Sequence, residues 1–293
     1  MNNFIHIPVL LGEALNNLNV VIGKKYIDAT LGGGGHTGEI VKRGGLVLGI
    51  DQDADALEYV KKSRESSIRN QALRIVKGNF REIKSLAIEN GFEKVDGILF
   101  DFGVSSYQLD NSERGFSLKH DEVLDMRMDK NQQLNAYDVI NNYPKEKLVE
   151  IFYKYGEEHN AKAIADEIVE RRKKSKIKTT KELADLVAGI PHKNEPINPA
   201  TRTFQAIRIE VNDELGAIRD GVVEGLGLLN PGGRIVAISF HSLEDRIIKQ
   251  LFEGFKRQNL GTVLTKKPLT AEVSEIMKNK RSRSAKMRVF EKN

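Results

Sequence analysis

Four consecutive glycines between an apolar strand and a helix start constrain this chain more than any other feature. The stretch reads Tyr26-Ile27-Asp28-Ala29-Thr30-Leu31-Gly32-Gly33-Gly34-Gly35-His36-Thr37-Gly38. Glycine has no Cβ, so the backbone there can take φ > 0 and a ligand can lie against the peptide planes. The following helix turns its unpaired first N–H groups toward the same spot. One helix later, Leu46-Val47-Leu48-Gly49-Ile50-Asp51 forms a second apolar strand ending in an acid. A carboxylate at that position commonly accepts a pair of ribose hydroxyls. The segment therefore reads as a nucleoside-cofactor site in an α/β sheet.

The rest of the chain extends this pattern. Leu73-Arg74-Ile75-Val76 is a third strand, ending at Gly78-Asn79-Phe80, and Val95 to Asp101 is a fourth apolar run closed by a carboxylate. Strands alternating with helices imply a parallel sheet. From about 112 to 193 only helical periodicity is found, and Pro191 to Pro199 reads as a loop with three prolines. Ala161, Ile164, Ala165, Ile168 and Val169 share one helix face, and Thr179-Thr180-Lys181-Glu182 supplies a capping box before a second stripe. The sheet pattern returns at Arg234 to Ser239. Gly261 to Leu264 and Met287 to Phe290 could add an antiparallel edge pair. The expected organisation is a core of residues 1–111 and 198–293 around a helical insert, 112–197.

Apolar content of 40% supports a packed core. The absence of cysteine excludes thiolate chemistry, disulfides and Cys-based zinc sites, and fits a reducing cytoplasm. No signal peptide or membrane span is expected. The net charge of +5 and pI near 9.1 favour a polyanionic partner. Two basic runs could meet phosphates: Arg171 to Lys178, and Lys278 to Arg288.

Gly33, Gly35 and Gly38 spell a literal G-x-G-x-x-G. That fingerprint alone does not separate a dinucleotide from S-adenosylmethionine. An acid at Asp28 would repel a pyrophosphate and suits the ammonium of a methionine moiety better. His241, after the fifth strand, is a second polar candidate; the alternative is that it orders the turn before a capping Ser242. No Asp/His spacing suggests a metal site.

Six blocks carry a family resemblance: Asp28 to His36, Asp101-Phe102-Gly103-Val104-Ser105-Ser106-Tyr107-Gln108-Leu109-Asp110, Glu113-Arg114-Gly115-Phe116-Ser117, Leu124-Asp125-Met126-Arg127-Met128-Asp129, Asn198 to Ala206, and Ser239 to Arg246. Together they resemble the MraW family of 16S ribosomal RNA methyltransferases. Phe102 and Tyr107 depart from the family's more usual leucine and proline. The resemblance implies a Rossmann-like class I S-adenosylmethionine-dependent methyltransferase sheet with an inserted all-helical domain. It implies methylation of a cytidine N4 in the decoding region of 16S ribosomal RNA, with that RNA or the small ribosomal subunit as partner, and it allows a homodimer. Cofactor contacts carry over to Gly34, Gly35, His36, Asp51, Phe80, Asp101 and Gln108. Asp101 is also the candidate for orienting the target amine, and Phe116, Tyr107 and Phe240 are candidates for holding the base. A nicotinamide-dependent oxidoreductase and a non-catalytic ribosome-assembly factor are the competing readings.

Overall fold

A computed structural model describes residues 8–104, 114–118, 120–191 and 198–293. The chain divides into two compact units, residues 1–105 with 215–293, and residues 106–214.

The first unit is built on a seven-stranded sheet of order β3-β2-β1-β4-β5-β7-β6. Its parallel strands are β1 (Lys25–Asp28), β2 (Leu46–Asp51), β3 (Leu73–Lys77), β4 (Val95–Asp101) and β5 (Leu229–Ser239). The central strands are buried on both faces over most of their length, and so read as largely apolar runs in sequence. β7 (Lys286–Lys292) inserts antiparallel between β5 and the short edge strand β6 (Gly261–Val263). The tail pair therefore closes the sheet as expected from sequence. β5 starts at Leu229, earlier than the Arg234 expected from sequence, so Asn230 to Gly233 lie within it. Val95 pairs Leu229 while Gly97 pairs Arg234, so the intervening residues form a bulge.

Helix α1 (Leu11–Leu18) packs on β4 and β5, α2 (Gly35–Lys42) on β2, and α3 (Ala54–Ser63) on β2 and β3; between β1 and β4 the order of strands reverses. In open α/β sheets that reversal creates a crevice at the strands' carboxyl ends. α2 starts at Gly34, whose φ of +68° and Cβ-to-Val60 clearance of 3.1 Å would strain any larger residue.

The second unit is helical. Lys145–Gly156, Ala161–Lys174 and Thr201–Asn212 pack together, and Thr179 makes the expected capping box with Glu182. Its irregular stretches are held by buried and half-buried polar side chains. Arg114 donates to the carbonyls of Arg127 (3.0 Å) and Met128 (3.2 Å). Asn212 accepts from the N–H of Met128 and donates to the carbonyl of Met126, both at 2.8 Å. Arg127 grips Asp125 with two bonds of 2.8 Å. Two of the blocks that carry the family resemblance thus serve as fasteners. No described helix is long and apolar enough to cross a membrane.

Candidate active site

Three carboxylates end adjacent parallel strands: Asp28 on β1, Asp51 on β2 and Asp101 on β4. The glycine loop and the start of α2 lie over the same end. The first intrahelical bond there runs from Gly38 N–H to the Gly34 carbonyl (2.9 Å), so Gly35 and His36 precede it with their N–H groups outside the ladder.

Asp51 is fixed by the backbone. One oxygen accepts from Gly32 N–H (2.7 Å) and the other from Asp53 N–H (2.9 Å). This ties β2 to the glycine loop and leaves further lone pairs on both oxygens. Burial pushes its pKa up to about 6; the two N–H bonds oppose that rise, and Asp53 and Asp28 add to it.

Asp28 is buried, and the protein itself uses its oxygens. Thr37 Oγ1 donates at 2.6 Å and Thr30 N–H at 3.3 Å. Asp28 therefore fastens the start of α2, where the sequence had suggested a partner for an ammonium group. Burial raises its pKa to about 6 against those hydrogen bonds.

Asp101 is the least satisfied of the three. Its backbone N–H is held by Thr30 Oγ1 at 2.6 Å, which aims the residue. Its Oδ1 is buried with no partner among the described residues. Its Oδ2 lies 3.7 Å from His36 Nδ1. Burial pushes this carboxyl well above the usual carboxylate range, and Asp28 and Glu244 push it further.

His36 is buried on α2, with Nε2 3.1 Å from the Val9 carbonyl. A carbonyl can only accept, so Nε2 carries the hydrogen and the neutral ring leaves Nδ1 bare. Burial lowers its pKa to about 4, the Val9 bond opposing.

Phe80 opens a 3₁₀ turn after β3 and is partly exposed. Its ring meets Phe100 edge-on at 5.9 Å and Phe102 at 5.6 Å, and Phe100 stacks on Phe102 at 5.4 Å. This aromatic cluster stiffens the face Phe80 presents. The departure at Phe102 is thus part of the packing behind Phe80. Gly103 has φ +104°, and a Cβ there would press on the Phe240 ring at 3.3 Å.

The structure brings Gly34, Gly35, His36, Asp51, Phe80 and Asp101 into one unit at one end of the sheet. Gln108 and Tyr107 lie outside the described residues. Phe116 is buried in the helical unit with the Arg114 guanidinium 5.9 Å from its ring centre, so it serves packing there. His241 is itself the N-cap of the helix Ser242–Arg257, in a reciprocal box with Glu244; the cap is one residue earlier than the sequence suggested. The roles of Thr30 and Thr37, and the Asn79–Gln52 side-chain bond (3.1 Å) joining the loops after β3 and β2, emerge only in the structure. A hydroxyl two residues beyond the acid that ends β1 was the available signal for Thr30.

An S-adenosyl sulfonium fits this donor set. Buried and half-buried carboxyls with raised pKa values crowd the crevice, and a cationic ligand relieves their repulsion. A pyrophosphate would add to it. The sheet order with its antiparallel β7, together with a nucleoside crevice of this charge, defines a Rossmann-like class I methyltransferase.

The chain belongs to the MraW methylase family, whose pattern matches residues 3–293. The ribosomal RNA small subunit methyltransferase H of Carboxydothermus hydrogenoformans is 48% identical over 307 residues, spanning 99% of this chain and 98% of its own. That of Persephonella marina is 47% identical over 289 residues, spanning 97% and 98%. Among solved structures, an rRNA methylase from Streptococcus thermophilus aligns with 98% of each chain at 10% identity and a TM-score of 0.46.

Proposed function

We propose that this chain transfers the methyl group of S-adenosylmethionine to the N4 amine of a cytidine in the decoding region of 16S ribosomal RNA. The observation that carries this reading is Asp101. It ends β4 beside the glycine loop and keeps a buried acceptor oxygen, Oδ1, unused by the described residues. Its relatives bear the name of ribosomal RNA small subunit methyltransferases.

The bound cofactor supplies a methyl group activated by a sulfonium leaving group. The chain's residues then have to bind, aim and take up a proton. Asp51 receives the ribose hydroxyls, Phe80 forms an apolar wall for the adenine, and the N–H groups of Gly35 and His36 meet the methionine end beside Gly34. Gln108 belongs to this set by its position in the family's motif. Most of the acceleration comes from alignment of nucleophile, methyl and sulfur. Cytosine N4 is a poor nucleophile because its lone pair is delocalised into the ring. Asp101 Oδ1 accepts one amine hydrogen and so favours the pyramidal, reactive nitrogen.

The base must leave its stack to reach such a site. The helical unit supplies RNA contacts, but its basic run is not uniform. Arg172 donates to the carbonyls of Ile140 (2.8 Å) and Tyr143 (2.6 Å), closing the end of the helix Ala136–Asn142. Lys176 reaches the Asn141 carbonyl at 3.2 Å. Lys174 and Lys178 are exposed, and Arg171 is half-buried. Changing Arg171, Lys174 and Lys178 to Gln should weaken RNA binding and reduce the slope of log affinity against log salt by about 2. Arg172→Gln should instead cost roughly 1–3 kcal/mol of stability and leave the slope alone. Binding titrations at several salt concentrations with thermal melts separate the two. An unchanged slope in the triple variant removes this run from the footprint. In the tail run, Arg288 is likewise committed, gripping Asp245 at 2.6 and 3.0 Å.

The decisive experiment is mass spectrometry of 16S ribosomal RNA from cells with and without this protein, paired with labelled-methyl transfer to naked RNA and to small subunits. Loss of one N4-methylcytidine on deletion is expected. An unchanged methylation pattern rejects the reading and favours a non-catalytic assembly role.

A further inference from the structure

His36 has two ring nitrogens in different circumstances, and the backbone decides which is which. Nε2 faces the Val9 carbonyl at 3.1 Å. That carbonyl is held in place by a distant segment. The next residue, Leu10, has a left-handed backbone (φ +52°), and its N–H donates to Glu275 Oε1 at 2.8 Å. Glu275 belongs to the short tail helix Val273–Lys278. The hydrogen is thereby fixed on Nε2, and the lone pair of Nδ1 looks at Asp101 Oδ2, 3.7 Å away. Asp101 thus has one oxygen facing the unprotonated ring nitrogen and the other buried and without a partner among the described residues.

We propose that His36 is a positioning residue for methyl transfer: through Nδ1 it receives, by way of Asp101, the proton that the attacking amine must lose. This rests on Asp101 being the amine acceptor. Among the described residues, the charged groups facing Asp101 are Asp28 from β1, Glu244 from the helix after β5 and, when protonated, His36. Burial and two acids raise the pKa of the Asp101 carboxyl well above the usual carboxylate range, and burial lowers that of the His36 imidazole. The geometry suits a resting arrangement in which an Oδ2–H faces Nδ1 and Oδ1, without a partner among the described residues, accepts an amine N–H. The 3.7 Å gap closes to hydrogen-bond length in the loaded site, as catalytic bonds often do.

The step balances. The N–CH₃ bond forms as the S–CH₃ bond breaks, and the positive charge moves onto the amine nitrogen. One N–H bond then gives its proton to Oδ1, its electron pair staying on nitrogen. The Oδ2 proton passes to Nδ1 in the same event. Asp101 remains a neutral acid and His36 becomes an imidazolium still bonded to Val9. That proton goes to water after the product leaves, and the carboxyl turns back.

His36→Gln tests this, because a glutamine amide can still donate to Val9 but cannot take a proton. Single-turnover transfer should fall at least about tenfold. The pH profile of the rate should shift by about one unit or lose a limb, and calorimetric affinity for S-adenosylmethionine should stay within about twofold. Nitrogen NMR of the ring in the cofactor-free wild type provides a reading independent of activity and of the variant's folding. The Nε2–H tautomer with unprotonated Nδ1 is expected at neutral pH, with the Nδ1 signal moved by Asp101→Asn. A hydrogen on Nδ1 in the resting protein overturns the proposal. So does a wild-type pH profile in His36→Gln, or a loss confined to cofactor affinity. If Asp101→Asn transfers methyl at the wild-type rate, the reading of Asp101 itself fails, whatever His36 does.

Discussion

Asp101→Asn is expected to slow single-turnover methyl transfer by about 10²–10⁴-fold, the usual range for losing a positioned proton-transfer group. The substitution is unusually clean. An asparagine has the same shape, its Oδ1 can still accept from an amine, and its Nδ2 can donate to the bare Nδ1 of His36. The Thr30 bond to the residue's backbone N–H is untouched at 2.6 Å. What disappears is the ability to accept and pass on a proton. The change also removes an acid that burial, Asp28 and Glu244 already disfavour as a charge, so the fold has nothing to lose electrostatically. Rapid-quench assays with labelled cofactor measure the rate, and calorimetry measures binding. A slow variant that binds the cofactor within a few-fold of wild type supports the assignment. A variant whose rate and affinity fall together makes Asp101 a cofactor contact only, and one that transfers normally removes it from the chemistry.

The two kinds of information in the sequence were legible to different depths. β4 is legible to the residue, Val95–Asp101, because a strand buried on both faces carries an apolar run, here Gly97 to Phe100, that stops at its acid. The capping box at Thr179 was equally plain, since its partners are three residues apart. The carboxyl ends of the strands and the glycine loop could be placed together for the same reason: a parallel sheet dictates where its acids gather. The hidden features depend on residues distant in sequence. Asp28 reads as available to a ligand until Thr37 is found across from it. Arg172 looks like one of several surface cations until the end of a neighbouring helix claims it. The tautomer of His36 depends on Val9, and so on Glu275, which no local pattern could announce. Local propensity saw the frame of the crevice, and tertiary contacts decided how each polar group in it is aimed. The helical unit ends at 214, beyond the 112–197 segment, because the helix Thr201–Asn212 packs against Lys145–Gly156 through residues that carry no sequence signal of their partner.

Asp51→Ala should weaken S-adenosylmethionine binding about 100-fold or more, and Asp51→Asn by roughly tenfold. Hydrogen bonds to a charged acceptor contribute about 1.5–3 kcal/mol each, and a carboxylate here can accept from both ribose hydroxyls. Each oxygen is already aimed by a backbone N–H, from Gly32 and Asp53, so the acceptor is preorganised and little ordering cost remains on binding. Alanine removes the acceptor and leaves those two N–H groups unpaired. The asparagine amide keeps one acceptor but must set its NH₂ against one of the same donors. A pH dependence follows with a definite sign. The free carboxyl has a pKa raised to about 6, whereas ribose hydroxyls favour its ionised form. Affinity should therefore be flat above about pH 7 and fall as pH drops through 6, by at most about tenfold per unit for this one group. Asp28, also near 6, spends its oxygens on Thr37 and Thr30 and gives a weaker, ribose-independent contribution. Calorimetry of wild type and Asp51→Asn between pH 5.5 and 8 tests both parts, with the variant expected to lose most of the slope. If the slope persists in the variant, or Asp51→Ala binds undiminished, the ribose is held elsewhere, and the negative crevice attracts the cofactor by charge alone.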